Sequence, residues 1–201
     1  MSVSLIVRHC YIGKKMIVKA ACGQLAAHFK YIEHRSLDET ETRDDRRIFN
    51  EHSDVINRKD AIRDVMEHAS NGQRDAYYHK IMLSPASDIP IGDYRQWTRN
   101  VMNDLEQKQG KKLYWYAVQH HNTEHNHVHI IIAGAGESRE TGKLEAIIFR
   151  PEDYTFLKER GREHSELAHQ QLIQETLREI NSRDDTTISH QELIHSKGFE
   201  Q

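Results

Sequence analysis

His120-His121-Asn122-Thr123-Glu124-His125-Asn126-His127-Val128-His129-Ile130-Ile131-Ile132 is the stretch from which the fold can be read. Five histidines fall within its first ten residues, and they run straight into an apolar segment. A strand alternates faces with a period of two, so His127 and His129 point the same way, roughly 7 Å apart. Upstream, 113–119 reads as another strand, and the short link between the two predicts an antiparallel hairpin. His120, at the end of the first strand, then faces His127 and His129 across the pair. His125 shares their face. It stands about 13 Å from His129 on an extended strand, at the limit for two imidazoles sharing one ion through bonds of ~2.1 Å. The set His120, His127 and His129 leaves coordination positions open, the pattern of a catalytic rather than a closed structural site. Two readings compete with it: a polar hairpin with no ion, and a structural zinc site that takes His125 as fourth ligand.

The rest of the chain has to give such an ion a task. At 201 residues, 37% hydrophobic and 29% charged, it is long enough for one domain with a substantial core. The formal net charge of -3 argues against a protein that coats duplex DNA without specificity. A local basic groove remains open, because residues 1–35 carry Arg8, Lys14, Lys15, Lys19, Lys30 and Arg35 against Glu33 alone. Cys10 and Cys22 are too few for a disulfide framework or a cysteine zinc site, and they suit a reducing compartment. The N-terminus lacks the pattern of a signal peptide, and no apolar run reaches the roughly 18 residues of a membrane span. The expectation is a cytoplasmic protein.

Periodicity supplies the remaining elements. A short strand is expected at 5–7, a helix at 16–34 weakened by Gly23, a small strand or turn at 47–50, and a helix at 61–69. A strand at 77–83 stops at Ser84-Pro85, and a helix at 94–108 starts from Asp93 as N-cap and ends at Gly110. After the histidine strand, closed by Gly134 and Gly136, come a short strand at 146–149 and a polar helix from Pro151 to about residue 181. This order predicts an α+β fold, a central, mainly antiparallel five-stranded sheet flanked by helices. Residues 1–181 form the domain, and 182–201 read as a polar, partly ordered tail. Tyr77, Tyr78, Trp97 and Trp115 read as packing residues, and 151–181 as a solvated packing helix with Arg150 as an adjoining DNA contact.

The segment His127-Val128-His129-Ile130-Ile131-Ile132 resembles the His-hydrophobe-His motif of the HUH endonucleases. The longer pattern His120-x6-His127-x-His129 resembles motif III of conjugative plasmid relaxases, the mobilisation nucleases of the P and V types. His28-Phe29-Lys30-Tyr31-Ile32-Glu33-His34-Arg35 looks like their motif I, and Tyr78-His79-Lys80-Ile81-Met82-Leu83-Ser84-Pro85 like motif II. The likeness spans about residues 5–165. Two positions depart from the pattern: Asn122 stands where an acid often follows the first histidine, and Ala133 where an asparagine often follows the last.

The resemblance implies that His120, His127 and His129 hold a divalent ion, Mn²⁺, Mg²⁺ or Zn²⁺, with ligand softness favouring Zn²⁺ or Mn²⁺. It implies that Tyr31 attacks a phosphate of single-stranded DNA at a plasmid transfer origin, giving a 5′-phosphotyrosyl intermediate that is later religated. A phenol titrates near about 10, so Tyr31 needs help from its surroundings. Glu124 takes the role of the missing acid. Lys30, Arg35 and Ser84 contact DNA, while His28, His34, Asn122 and His125 stand around the site. On a helix, His28, Tyr31, His34 and Arg35 share one face. Tyr11, His28 and His34 are rival nucleophiles. Relaxosome accessory proteins and a type IV secretion coupling protein are the further partners implied. The competing functions are a rolling-circle initiator or transposase of the HUH superfamily, with its tyrosine after the histidines, and a metal-stabilised DNA-binding module with no enzymatic activity.

Overall fold

The structure, a computed structural model, describes residues 6–13, 16–34, 46–71, 76–85, 90–121 and 126–196. Its elements in chain order are β1 (Ile6–Gly13), α1 (Val18–His34), α2 (Arg58–Asn71), β2 (Ala76–Ser84), α3 (Tyr94–Gln109), β3 (Lys111–Lys112), β4 (Trp115–His120), β5 (His127–Ala133), β6 (Ala135–Ser138), β7 (Leu144–Ala146) and α4 (Pro151–Ser196). From Ile130 to Ala133 strand β5 is apolar on both faces, as suits a strand covered on both sides. Val128, Ile130 and Ile132 enter one core with Trp97, Val101, Met102 and Leu105 of α3 and Leu157 of α4. Ile131 and Ala133 enter the other, with Ala21, Leu25, Phe29 and Ile32 of α1 and Ala61, Val65 and Ala69 of α2. The sheet is therefore a layer between two helix pairs, and alternation puts His127 and His129 on the α1/α2 side.

The main sheet has the order β1-β2-β5-β4 and is antiparallel throughout. Four strands, not five, make it; β3, β6 and β7 form a second, three-stranded sheet. The division falls at Gly134, the one residue between β5 and β6. A Cβ there would lie 2.0 Å from the Ala76 carbonyl oxygen, and one at Gly136 would lie 2.6 Å from that of Lys112. Only glycine lets the backbone pass this closely as the chain leaves one sheet for the other.

Four boundaries differ from expectation. β1 runs on to Gly13, because its pairing with β2 extends from Ile6↔Ser84 to Gly13↔Ala76. Helix α2 begins at Arg58. The strand expected at 146–149 is instead β7, which ends at Ala146. The helix expected to end near 181 continues to Ser196. No glycine or proline stands between Gly161 and Gly198, which leaves nothing in the sequence to stop it. The caps of α3 are as expected. Asp93 accepts from the Arg95 and Gln96 amides at 2.9 Å each, and Gly110 closes the helix at φ 64°. Among the described residues, no helix is long and apolar enough to cross a membrane.

Candidate metal centre and nuclease site

The hairpin register builds the centre. His120 and His127 are direct cross-strand partners, and His129 pairs with Val118. His120, Val118 and Tyr116 alternate onto the α1/α2 face of β4, and His127 and His129 lie on that face of β5. The three rings pack edge to face, with centroids 4.7–5.1 Å apart. One ligand atom from each can be chosen so that all lie within 4.8 Å of one another, and no other group of three such residues is found among the described residues. His120 and His127 are buried, and His129 is half-buried. A half-buried set of three imidazoles with one open side is the donor set a divalent ion takes in a catalytic site. The chemistry and spacing of the residues fit the ion.

Helix α1 closes one side of the centre. His120 Nε2 donates to the Ile32 carbonyl at 2.6 Å, which commits Nε2 and leaves Nδ1 as that ring's ligand atom. A backbone carbonyl in this place fixes tautomer and ring orientation, as metal-binding imidazoles require. One turn back, the His28 ring sits edge-on to His129 at 6.1 Å. Burial, and then the nearby Lys80 ammonium, lower the His28 pKa to about 4, so its ring is neutral at pH 7. Tyr31 lies between these two contacts in the sequence of the same helix, 53% exposed. Lys30 and His34 are exposed on α1.

Lys80 was not legible in the sequence. It lies on β2 two residues before Met82, the partner of His129, and so on the same face as the histidines. Only the β2–β5 pairing, which no local pattern specifies, reveals that placement. Asn126 escaped for the same reason. Its carbonyl accepts from the Ser84 hydroxyl at 3.0 Å, and its side chain bonds to Tyr94. Both bonds hold the backbone one residue before His127. Ser84, at 4% exposure, clips the strand end that carries the histidines.

Glu124, Asn122, His125 and Arg35 lie outside the described residues. His121 packs edge-on to Tyr94, on the α3 side. Tyr11 pairs with His79, next to the Ile12↔Tyr78 pair whose tyrosine enters the α1/α2 core. Alternation therefore puts Tyr11 on the opposite face from the histidines. Tyr77, Tyr78, Trp97 and Trp115 are all core residues.

Among solved structures, the fold is similar to the conjugative relaxase TrwC in complex with oriT DNA, in a metal-bound structure. The match has a TM-score of 0.52 at 12% identity and covers 83% of this chain and 70% of that one. At that identity the likeness concerns the fold alone. A comparison with curated protein sequences finds no match. A family model, that of the MobA/VirD2-like relaxase nuclease domain, matches residues 31–143, from Tyr31 through both histidine strands to the second sheet. Since that is more than half of its length, the chain belongs to the MobA/VirD2-like relaxase nuclease family.

Proposed function

We propose that this domain nicks and rejoins one strand of DNA at a plasmid transfer origin by metal-assisted transesterification, with Tyr31 as nucleophile. The observation that carries the reading is the contact of one helix turn with the centre. His28 and Ile32, on either side of Tyr31 in the sequence of α1, touch His129 and His120. The Tyr31 oxygen forms a bond to phosphorus as the bond from phosphorus to the 3′ oxygen breaks. The phenol proton passes to His28 or His34 and from there to the departing 3′ oxygen, which leaves as a hydroxyl. One phosphodiester replaces another, so the step is reversible and needs no nucleotide cofactor. His120, His127 and His129 hold the ion, which supplies charge withdrawal from the phosphoryl oxygens. Lys80 places a further positive charge on the same face, Lys30 and Arg35 contact the strand, and Glu124 orients a ligand or the nucleophile.

The rival arrangement, with a tyrosine after the histidines, meets an obstacle. Tyr154 is the one tyrosine that follows His129, and its hydroxyl bonds to His9 Nδ1 at 2.8 Å, beside Phe149 on the α3/α4 side. The purely DNA-binding reading differs in its product. Incubation with a single-stranded origin oligonucleotide and Mn²⁺ is expected to give a covalent adduct on a denaturing gel. Tyr31→Phe should remove the adduct and keep DNA binding; an adduct that persists in this variant excludes Tyr31. His127→Ala should lose bound metal by elemental analysis, and unchanged metal content sinks the triad.

A further inference from the structure

On the sheet face away from the histidines, a cavity of about 280 Å³ opens between β1, β2 and the start of α4. Its walls are rings: His9 and Tyr11 of β1, His79 of β2, then Phe149 and Tyr154. His9 lies nearly parallel to His79 (23° at 5.2 Å) and to Tyr11 (26° at 6.5 Å), and Phe149 nearly parallel to Tyr154 (23° at 6.1 Å). No lysine, arginine or carboxylate lines the space. Tyr11 is 60% exposed at its mouth, on a strand whose other edge carries no strand among the described residues.

The polar atoms of this wall already serve one another. The Tyr154 hydroxyl bonds to His9 Nδ1 at 2.8 Å, His9 Nε2 to His79 Nδ1 at 3.0 Å, and His79 Nε2 to the Ile147 carbonyl at 3.2 Å. A carbonyl only accepts, so His79 Nε2 donates. His79 Nδ1 then accepts, His9 Nε2 donates, and His9 Nδ1 accepts from the Tyr154 hydroxyl. The chain runs in one direction and satisfies every ring nitrogen with both imidazoles neutral. Burial favours that state, lowering His9 and bringing His79 to about 4. What is left to a ligand is uncharged aromatic surface with few groups to read hydrogen-bonding edges. Phosphate has no partner there, whereas a flat heterocycle has several.

We propose that this hollow stacks one unpaired nucleobase of the single strand whose phosphate lies at the histidines, after the strand has crossed the edge of β1. The proposal rests on the reading that the domain handles single-stranded DNA, and it adds a second contact region on the reverse of the sheet. Because stacking uses ring faces common to all bases, the site tolerates any sequence. From Ile6, at the histidine end of β1, to Tyr11 is five residues, about 17 Å, a gap that a few nucleotides span.

The test is fluorescence anisotropy of the full chain with a 20-nucleotide oligothymidylate at fixed salt, without divalent ions. Tyr11→Ala is expected to weaken binding on the order of 5- to 100-fold, and Tyr11→Phe, which keeps the ring, to restore it. An abasic oligomer of equal length, with the phosphates but no bases, should bind wild type and Tyr11→Ala alike. The proposal is overturned if Tyr11→Ala binds oligothymidylate as wild type does, if Tyr11→Phe is as weak as Tyr11→Ala, if the abasic oligomer loses affinity equally, or if wild type does not bind oligothymidylate. The measurement needs no cleavage, so failure of the Tyr31 adduct assay leaves it intact. An adduct-forming protein indifferent to Tyr11 loses only this site.

Discussion

At His120 the two ring nitrogens have separate tasks: Nε2 is held by the Ile32 carbonyl, and Nδ1 remains for an ion. The placing of His127 and His129 is more local, since alternation along one strand and the register of one hairpin bring them beside His120. That is why the three histidines were legible in the sequence: every step to them uses neighbours in the chain. Ile32, Lys80 and Asn126 were not, because their contacts need α1 docked and β2 beside β5, across tens of residues. Ser84, expected to contact DNA, also has a structural bond. Its hydroxyl is taken by the Asn126 carbonyl. Ser84→Ala should therefore lower stability by about 0.5–1.5 kcal/mol, read as a fall in unfolding midpoint, while affinity for single-stranded DNA stays within about twofold. A loss of affinity with unchanged stability would instead support the direct DNA contact expected of Ser84.

Among the elements, β5 is the member on which two cores meet, and Gly134 is where the chain leaves it. The period of two made this strand readable, while its place inside the sheet, between β2 and β4, came only with the structure. The five-strand expectation went astray at the Gly-Ala-Gly corner, where the sequence shows small residues and only the structure shows two backbones passing within van der Waals contact. The two kinds of glycine can be separated by experiment. Gly134→Ala drives a Cβ into the Ala76 carbonyl and should destabilise the fold by at least about 3 kcal/mol or abolish soluble protein. A Cβ at Gly23, inside α1, meets nothing within 4 Å. There Gly23→Ala should stabilise by about 0.5–1 kcal/mol, because alanine loses less chain entropy in a helix. Denaturant midpoints of the two variants against wild type check both signs.

For the whole molecule, the two faces of the sheet differ in chemistry: imidazoles poised for an ion on one, a neutral aromatic wall on the other. The second has a consequence for acid stability. His79 is surrounded by His9, Tyr11, Phe149, the Tyr154 side chain and the Ile147 carbonyl, with no carboxylate to compensate a proton. Its pKa falls to about 4, chiefly through burial. In the unfolded chain the same ring takes a proton near about 6.5. Between those values the unfolded state binds more protons, so stability falls as pH drops. His79 alone should remove about 2 kcal/mol between pH 7 and pH 5. The difference in unfolding free energy between those two pH values should shrink by about that much in His79→Gln; an unchanged difference would show that the ring is protonated in the fold. Nothing in the sequence near residue 79 announces this, because the burial comes from Phe149 and Tyr154, about seventy residues away. The bond from His120 to Ile32 carries its own meaning at this scale. To rotate that imidazole is to unlatch the end of α1, so the grip on an ion and the anchorage of the helix yield together. If Tyr31 carries the DNA strand as proposed, the tether and the ion's grip share one anchor, the turn of α1 that ends at the Ile32 carbonyl.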